Sequence, residues 1–145
     1  MEDTDQRMGK LEGLTVLIVD DDRDVLESFQ MAIEAEGADT FTADNGNTGV
    51  ERCLSENPDV VVLDMMLPGR SGFLALEKIK GREESPAVIM VTANEGRRHH
   101  EYAESMGVDA YLLKPVPLRQ LIETIARLGE GRGDARDDPR DVPED

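Results

Sequence analysis

Val60-Val61-Val62-Leu63-Asp64-Met65-Met66-Leu67-Pro68-Gly69-Arg70-Ser71-Gly72 is an aliphatic run that ends in one carboxylate and passes at once into a loop with proline and glycine. Four apolar residues in succession, Val60 to Leu63, predict a strand covered on both faces, as in a parallel sheet. Asp64 therefore stands where a strand stops and its side chain leaves the core. In open α/β sheets, ligands bind outside that edge.

The same rhythm extends in both directions. Leu14 to Val19 is a short apolar strand, followed by Asp20, Asp21 and Asp22. Val25, Phe29 and Ile33 then recur at i, i+4 and i+8, with Leu26 and Ala32 beside them, up to Gly37. Ala38 to Ala43 reads as a weaker strand and Asp44-Asn45-Gly46 as a turn. Val50, Cys53 and Leu54 share a helical face that stops at Asn57-Pro58. Beyond the opening stretch, Phe73 to Lys80 predicts a helix with Leu76 and Ile79 inward. Ala87 to Val91 is a fourth strand ending in Thr92-Ala93, and residues 96–106 form a more polar helix with Tyr102, Ala103 and Met106. Asp109 to Leu113 is a fifth strand, followed by Lys114-Pro115 and a helix lined by Leu118, Leu121, Ile122, Ile125 and Leu128.

Five strands alternating with five helices imply an α/β fold: a parallel sheet with right-handed crossovers and helices on both faces. Residues 14–128 make one domain, with a disordered leader over 1–13 and a disordered acidic tail over 129–145.

At 145 residues the chain can bury a proper core, and with 3% aromatics and no tryptophan that core is aliphatic. The net charge of -16 sets it against nucleic-acid phosphates and anionic membrane surfaces and favours cations and basic protein patches. Cys53 is the only cysteine, so no internal disulfide forms, and it reads as a small core hydrophobe. No apolar run approaches the roughly 20 residues that span a bilayer. The setting expected is cytoplasmic.

The chemistry gathers past the strand ends: Asp20 and Asp21 after the first, Asp64 after the third, Thr92 after the fourth, Lys114 after the fifth. A parallel sheet brings all of them to one edge. Neighbouring carboxylates repel by roughly 4 kcal/mol per pair at an effective dielectric near 20, so the cluster traps a proton or binds a cation. Oxygen-only ligands suit Mg²⁺ (or Mn²⁺). A lysine and a hydroxyl opposite suit phosphate oxygens. The residues together look built for a phosphoryl group.

The segments VLIVDDD (16–22), VVVLDMMLPGRSG (60–72), VIMVTA (88–93) and DAYLLKP (109–115) resemble the receiver domain of two-component response regulators, most like its stand-alone, chemotaxis-type (CheY-like) members. The resemblance covers about residues 14–128. It implies a flavodoxin-like (βα)5 three-layer sandwich with strand order 2-1-3-4-5. It further implies that Asp64 takes a phosphoryl group from a histidine kinase or phosphotransfer protein. Asp20, Asp21, Asp64 and the backbone carbonyl of Met66 would hold Mg²⁺, with Asp21 the more direct ligand of the acidic pair. Thr92 and Lys114 would bind phosphoryl oxygens, and Tyr111 would turn inward when Thr92 moves. Pro68 and Gly72 would shape the loop, and the Lys114–Pro115 bond would be cis. Met66 and Asn94, each two residues past a site residue, would tune the phosphoryl lifetime. Output would pass to a protein target through the face of the fourth helix, fifth strand and fifth helix, with no DNA-binding domain, from a monomer or a phosphorylation-linked dimer.

On this reading the chain is no enzyme beyond its own phosphoryl transfer and slow self-dephosphorylation. A small-molecule phosphatase with an aspartate nucleophile would carry a second carboxylate at position 66, where Met66 stands. A flavin-nucleotide module would need a Ser/Thr/Gly-rich loop where Asp20-Asp21-Asp22 stands. A receiver that signals without phosphorylation would not keep the whole set intact. Asp22 has two readings, a third acidic site residue or the first helix's N-cap. His99 and His100 point about 100° apart on a helix and read as a solvated face.

Overall fold

The computed structural model describes residues 9–69, 71–93 and 96–132. Strands β1 (Thr15–Val19), β2 (Asp39–Ala43), β3 (Val60–Asp64), β4 (Ala87–Thr92) and β5 (Ala110–Leu113) alternate with helices α1 (Arg23–Ala35), α2 (Gly46–Glu56), α3 (Gly72–Lys80), α4 (Arg97–Ser105) and α5 (Leu118–Gly129). Every strand pairing is parallel and the order is β2-β1-β3-β4-β5, as expected.

The period-2 alternation of the strands divides their side chains between two cores. Val16, Ile18, Val60, Val62, Ile89 and Val91 face Phe29 and Ile33 of α1 and Leu121, Ile122 and Ile125 of α5. Leu17, Val19, Val61, Leu63, Val88 and Met90 face Val50 and Cys53 of α2, Ala75, Leu76 and Ile79 of α3, and Ala103 of α4. β3 and β4 are buried along their whole length because both faces are covered. Each aliphatic side chain so removed from water contributes roughly 1.5–3 kcal/mol to folding.

Cys53 lies in this core, and burial pushes its thiol up in pKa against the opposing pull of Arg82. Asp22 proves to be the N-cap of α1: its side chain accepts from the backbone N–H groups of Asp24 and Val25. Asn45 and Ser71 cap α2 and α3 in the same way.

Three expectations are corrected. The leader reaches less far than 13, because Leu11 is fully buried against the α1–α5 side and its N–H donates to the carbonyl of Glu36. Leu54 and Leu118 are 49% and 40% exposed, so α2 and α5 turn a leucine outward that the periodicity had placed inward. At the other end α5 continues through Gly129, where a Cβ would stand 2.6 Å from Leu14 Cδ1. The lead-in to β1 and the end of α5 therefore touch. Residues 1–8 and 133–145 of the expected leader and tail lie outside the described residues.

Candidate functional site

The parallel register sets the ends of β1, β3, β4 and β5 side by side. Val19 pairs with Leu63, Asp64 with Val91, and Thr92 with Leu113. The backbone holds the cleft beyond them: Met65 N–H donates to Val91 O, Lys114 N–H to Thr92 O, and Asp20 N–H to Ala43 O. The Lys114–Pro115 peptide is cis, as expected.

Asp20 and Asp64 are buried, at 2% and 5% exposure, while Asp21 is exposed at the rim. One carboxylate oxygen from each of the three lies within 4.8 Å of the others. Lys114 Nζ is 3.0 Å from Asp20 Oδ2 and 3.7 Å from Asp64 Oδ1. Asp20 Oδ1 accepts the Asp22 N–H at 2.9 Å, and Asp64 Oδ1 accepts the Met66 N–H at 3.3 Å. Thr92 is fully buried at the end of β4.

Burial drives the Asp64 carboxyl up to about 6, helped by the charges of Asp20 and Asp21 and opposed by Lys114 and the Met66 N–H. Burial works against the charged form of Lys114, but its hydrogen bond to Asp20 and the charges of Asp64, Asp20 and Asp22 outweigh it and raise the ammonium pKa. One lysine against three carboxylates leaves a surplus of negative charge, and the donors are all hard oxygens. That set fits a small divalent cation of the Mg²⁺ kind.

The loop past β3 approaches the strand closely at Gly72: a Cβ there would stand 2.6 Å from Asp64 O and Met65 Cα. Only glycine allows the Gly72 N–H to reach Met65 O at 2.9 Å. Beside Lys114 opens a mostly apolar cleft of about 540 Å³, lined by residues of α1 and the β5–α5 connection including Val25, Phe29, Pro115 and Val116.

Tyr111 is half-buried, its hydroxyl 4.0 Å from Met65 Sδ, and burial raises its pKa. Its ring stacks on His100, with centroids 4.3 Å apart and planes 5° apart. The two α4 histidines are exposed as expected, yet both lie on aromatic rings, His99 on Phe73 and His100 on Tyr111. No sequence signal announces those stacks, which depend on how α4 sits against α3 and β5. Asn94 lies outside the described residues; Met66 is 66% exposed at the mouth of the cleft.

Fold and site together define a doubly wound α/β protein with an acidic, lysine-bearing cleft at the carboxyl edge of its sheet. The family model for the response regulator receiver domain matches residues 16–126. Among solved structures, a receiver domain protein (CheY-like) from Methanospirillum hungatei is 32% identical, with a TM-score of 0.76 over 81% of this chain and 94% of that one. The receiver domain of a Francisella response regulator is 27% identical, with a TM-score of 0.77 over 81% and 97%. A DNA-binding response regulator of the LuxR family from Staphylococcus aureus is 29% identical, with a TM-score of 0.76 over 80% and 98%. The chain belongs to the receiver domain family of two-component response regulators. That family works in phosphorylation-dependent signalling and binds Mg²⁺ at an acidic pocket, and Asp20, Asp21 and Asp64 form such a pocket here. Receiver domains interact with histidine kinases and phosphotransfer proteins. Among the described residues no helix is long and apolar enough to cross a membrane.

Proposed function

We propose that Asp64 is the phosphoacceptor of a signalling switch, charged by a phosphohistidine on a kinase or phosphotransfer protein. The observation that carries this reading is the position of Asp64: its carboxylate shares the cleft with those of Asp20 and Asp21, and the Lys114 ammonium, 3.7 Å from Asp64, bridges it to Asp20. A carboxylate oxygen of Asp64 forms the new bond to phosphorus as the phosphorus–nitrogen bond to the imidazole breaks. The leaving imidazole keeps the bonding pair. Such a transfer needs alignment and charge neutralisation rather than a separate base.

Lys114 moves from Asp20 to a phosphoryl oxygen, and the Thr92 hydroxyl takes another. Asp20, Asp21, Asp64 and the Met66 carbonyl would hold Mg²⁺, which supplies neutralisation of the phosphoryl oxygens.

Tyr111 then carries the state of the cleft to the α4–β5–α5 face, where a protein target docks. With a charge of -16 the chain itself is a poor ligand for DNA. It acts as a regulator, catalysing only its own phosphorylation and slow dephosphorylation, in the cytoplasm where ATP charges its kinase. The Met66 side chain at the mouth of the cleft offers no N–H to an attacking water. Met66→Asn is therefore expected to shorten the phosphoryl lifetime, followed as loss of label with time.

The test is labelling by acetyl phosphate, read as intact mass. Wild type is expected to gain a phosphoryl group only with Mg²⁺ present, and Asp64→Asn to gain none. An unlabelled wild type, or an equally labelled variant, would overturn the proposal.

A further inference from the structure

His99 and His100 follow one another in α4, and their rings leave the helix toward different neighbours. His99 lies parallel to Phe73 of α3 with centroids 6.0 Å apart. His100 lies parallel to Tyr111 of β5 at 4.3 Å, which is direct ring-on-ring contact. A second contact fixes His100: its Nε2 is 3.1 Å from Glu104 Oε2, one turn further along α4. Tyr111 is fixed at its other end, where its hydroxyl reaches the Sδ of Met65 at 4.0 Å. Met65 is buried and follows Asp64 directly in the chain. The tyrosine ring is thus held between the root of the acceptor loop and the outer helix.

We infer that His100 is a positioning residue for Tyr111, a role that rests on the proposed function, in which Tyr111 carries the state of Asp64 to α4. The stacked imidazole holds the phenol with its hydroxyl turned inward to Met65. It lowers the cost of ordering that ring when the acceptor is occupied. Glu104 keeps the imidazole in place over the ring. An alanine at position 100 leaves one face of Tyr111 uncovered and free to swing outward, whereas a phenylalanine keeps a flat ring there.

The chain has two tyrosines, so ring-labelled tyrosine gives two sets of NMR signals, and Tyr102→Phe assigns them. Wild type, His100→Ala and His100→Phe are compared in Mg²⁺ with increasing beryllofluoride, a phosphoryl mimic. Without mimic, His100→Ala is expected to shift the Tyr111 ring signals and His100→Phe to keep them upfield. The half-saturating beryllofluoride concentration is expected to rise about three- to ten-fold in His100→Ala and to return close to wild type in His100→Phe. Unmoved Tyr111 signals in His100→Ala overturn the inference. So does an unchanged midpoint, or an equal rise in both variants, which marks a merely structural role. Acetyl phosphate labelling of the same samples separates the two failures. Normal labelling with a midpoint indifferent to His100 removes this inference alone. Loss of labelling in wild type removes the proposed function and the coupling with it, and the unliganded tyrosine signals still decide the stack.

Discussion

The segments that follow β1 and β4 both lead from the cleft into a helix, yet α1 and α4 are held in opposite ways. α1 runs for 13 residues, is capped by the Asp22 side chain, carries Asp24 in its first turn, and buries Phe29 and Ile33. α4 runs for nine residues, starts from Gly96 with no side-chain cap, opens on Arg97 and Arg98, and buries only Ala103. An acidic first turn suits the positive end of a helix dipole, and a basic one opposes it. On one side of the cleft the sequence builds a fixed wall. On the other it builds an element held by exposed ring contacts to α3 and β5 rather than by a cap and a buried face, and a switch needs that asymmetry: the acceptor must be rigid and the reporter must be able to shift.

The strongest way to break this contrast is to cut into both helices. Ile33→Ala is expected to cost about 2–5 kcal/mol in urea unfolding, because it empties a fully buried site in α1. Tyr102→Ala in α4 is expected to cost about 1 kcal/mol or less, since that ring is 53% exposed. Equal losses would mean that α4 is as firmly packed as α1.

Next in size is the charge buried at the end of β3. Asp64 binds its proton more tightly in the fold, up to about 6, than at its ordinary value of 3.8. Between those values the folded chain keeps a proton that the unfolded chain has lost, so stability falls as pH rises through that window. The penalty is fully present above about pH 6 and absent below about pH 4. With a chelator present, Asp64→Asn should therefore be more stable than wild type at neutral pH by on the order of 1–3 kcal/mol, the gain shrinking to nothing near pH 4. A gain that does not change with pH would show that the buried charge of Asp64 is not its source.

Two smaller changes address the helix ends. Asp22→Ala should cost about 1 kcal/mol in thermal unfolding, because two N–H groups of α1 lose their acceptor. Arg97→Glu should slow amide hydrogen exchange across α4, consistent with about 0.3–1 kcal/mol of local stabilisation. Unaltered exchange would show that the first turn of α4 is not limited by its charge.

The sheet was legible in the sequence because its central strands are buried on both faces, so each reads as a continuous aliphatic run in which local pattern and final environment agree. The acidic cleft followed from the same logic, since a parallel sheet brings every strand end to one edge. What stayed hidden depends on contacts between distant segments. Leu11 is a lone leucine in a polar leader, and its burial relies on core residues distant in the chain, with its N–H taken by the carbonyl of Glu36. Leu54 fits the helical period but falls outside the part of α2 that the sheet covers. The two α4 histidines looked like solvated side chains because nothing near them in the chain announces Phe73 or Tyr111. Asp22 could be a site residue or a cap from its position alone, and only the two N–H groups it accepts decide for the cap.

The contact between Leu14 and Gly129 has an architectural consequence. The segment that leads into β1 and the end of α5 meet on the amino edge of the sheet, with the cleft on the opposite edge. A unit with adjoining entry and exit can be spliced into a surface loop of another protein without stretching either host or guest. Its old ends can also be joined and new ones opened elsewhere. For anyone building a sensor, the receiver is a plug whose two pins sit together and whose working face points away from the socket.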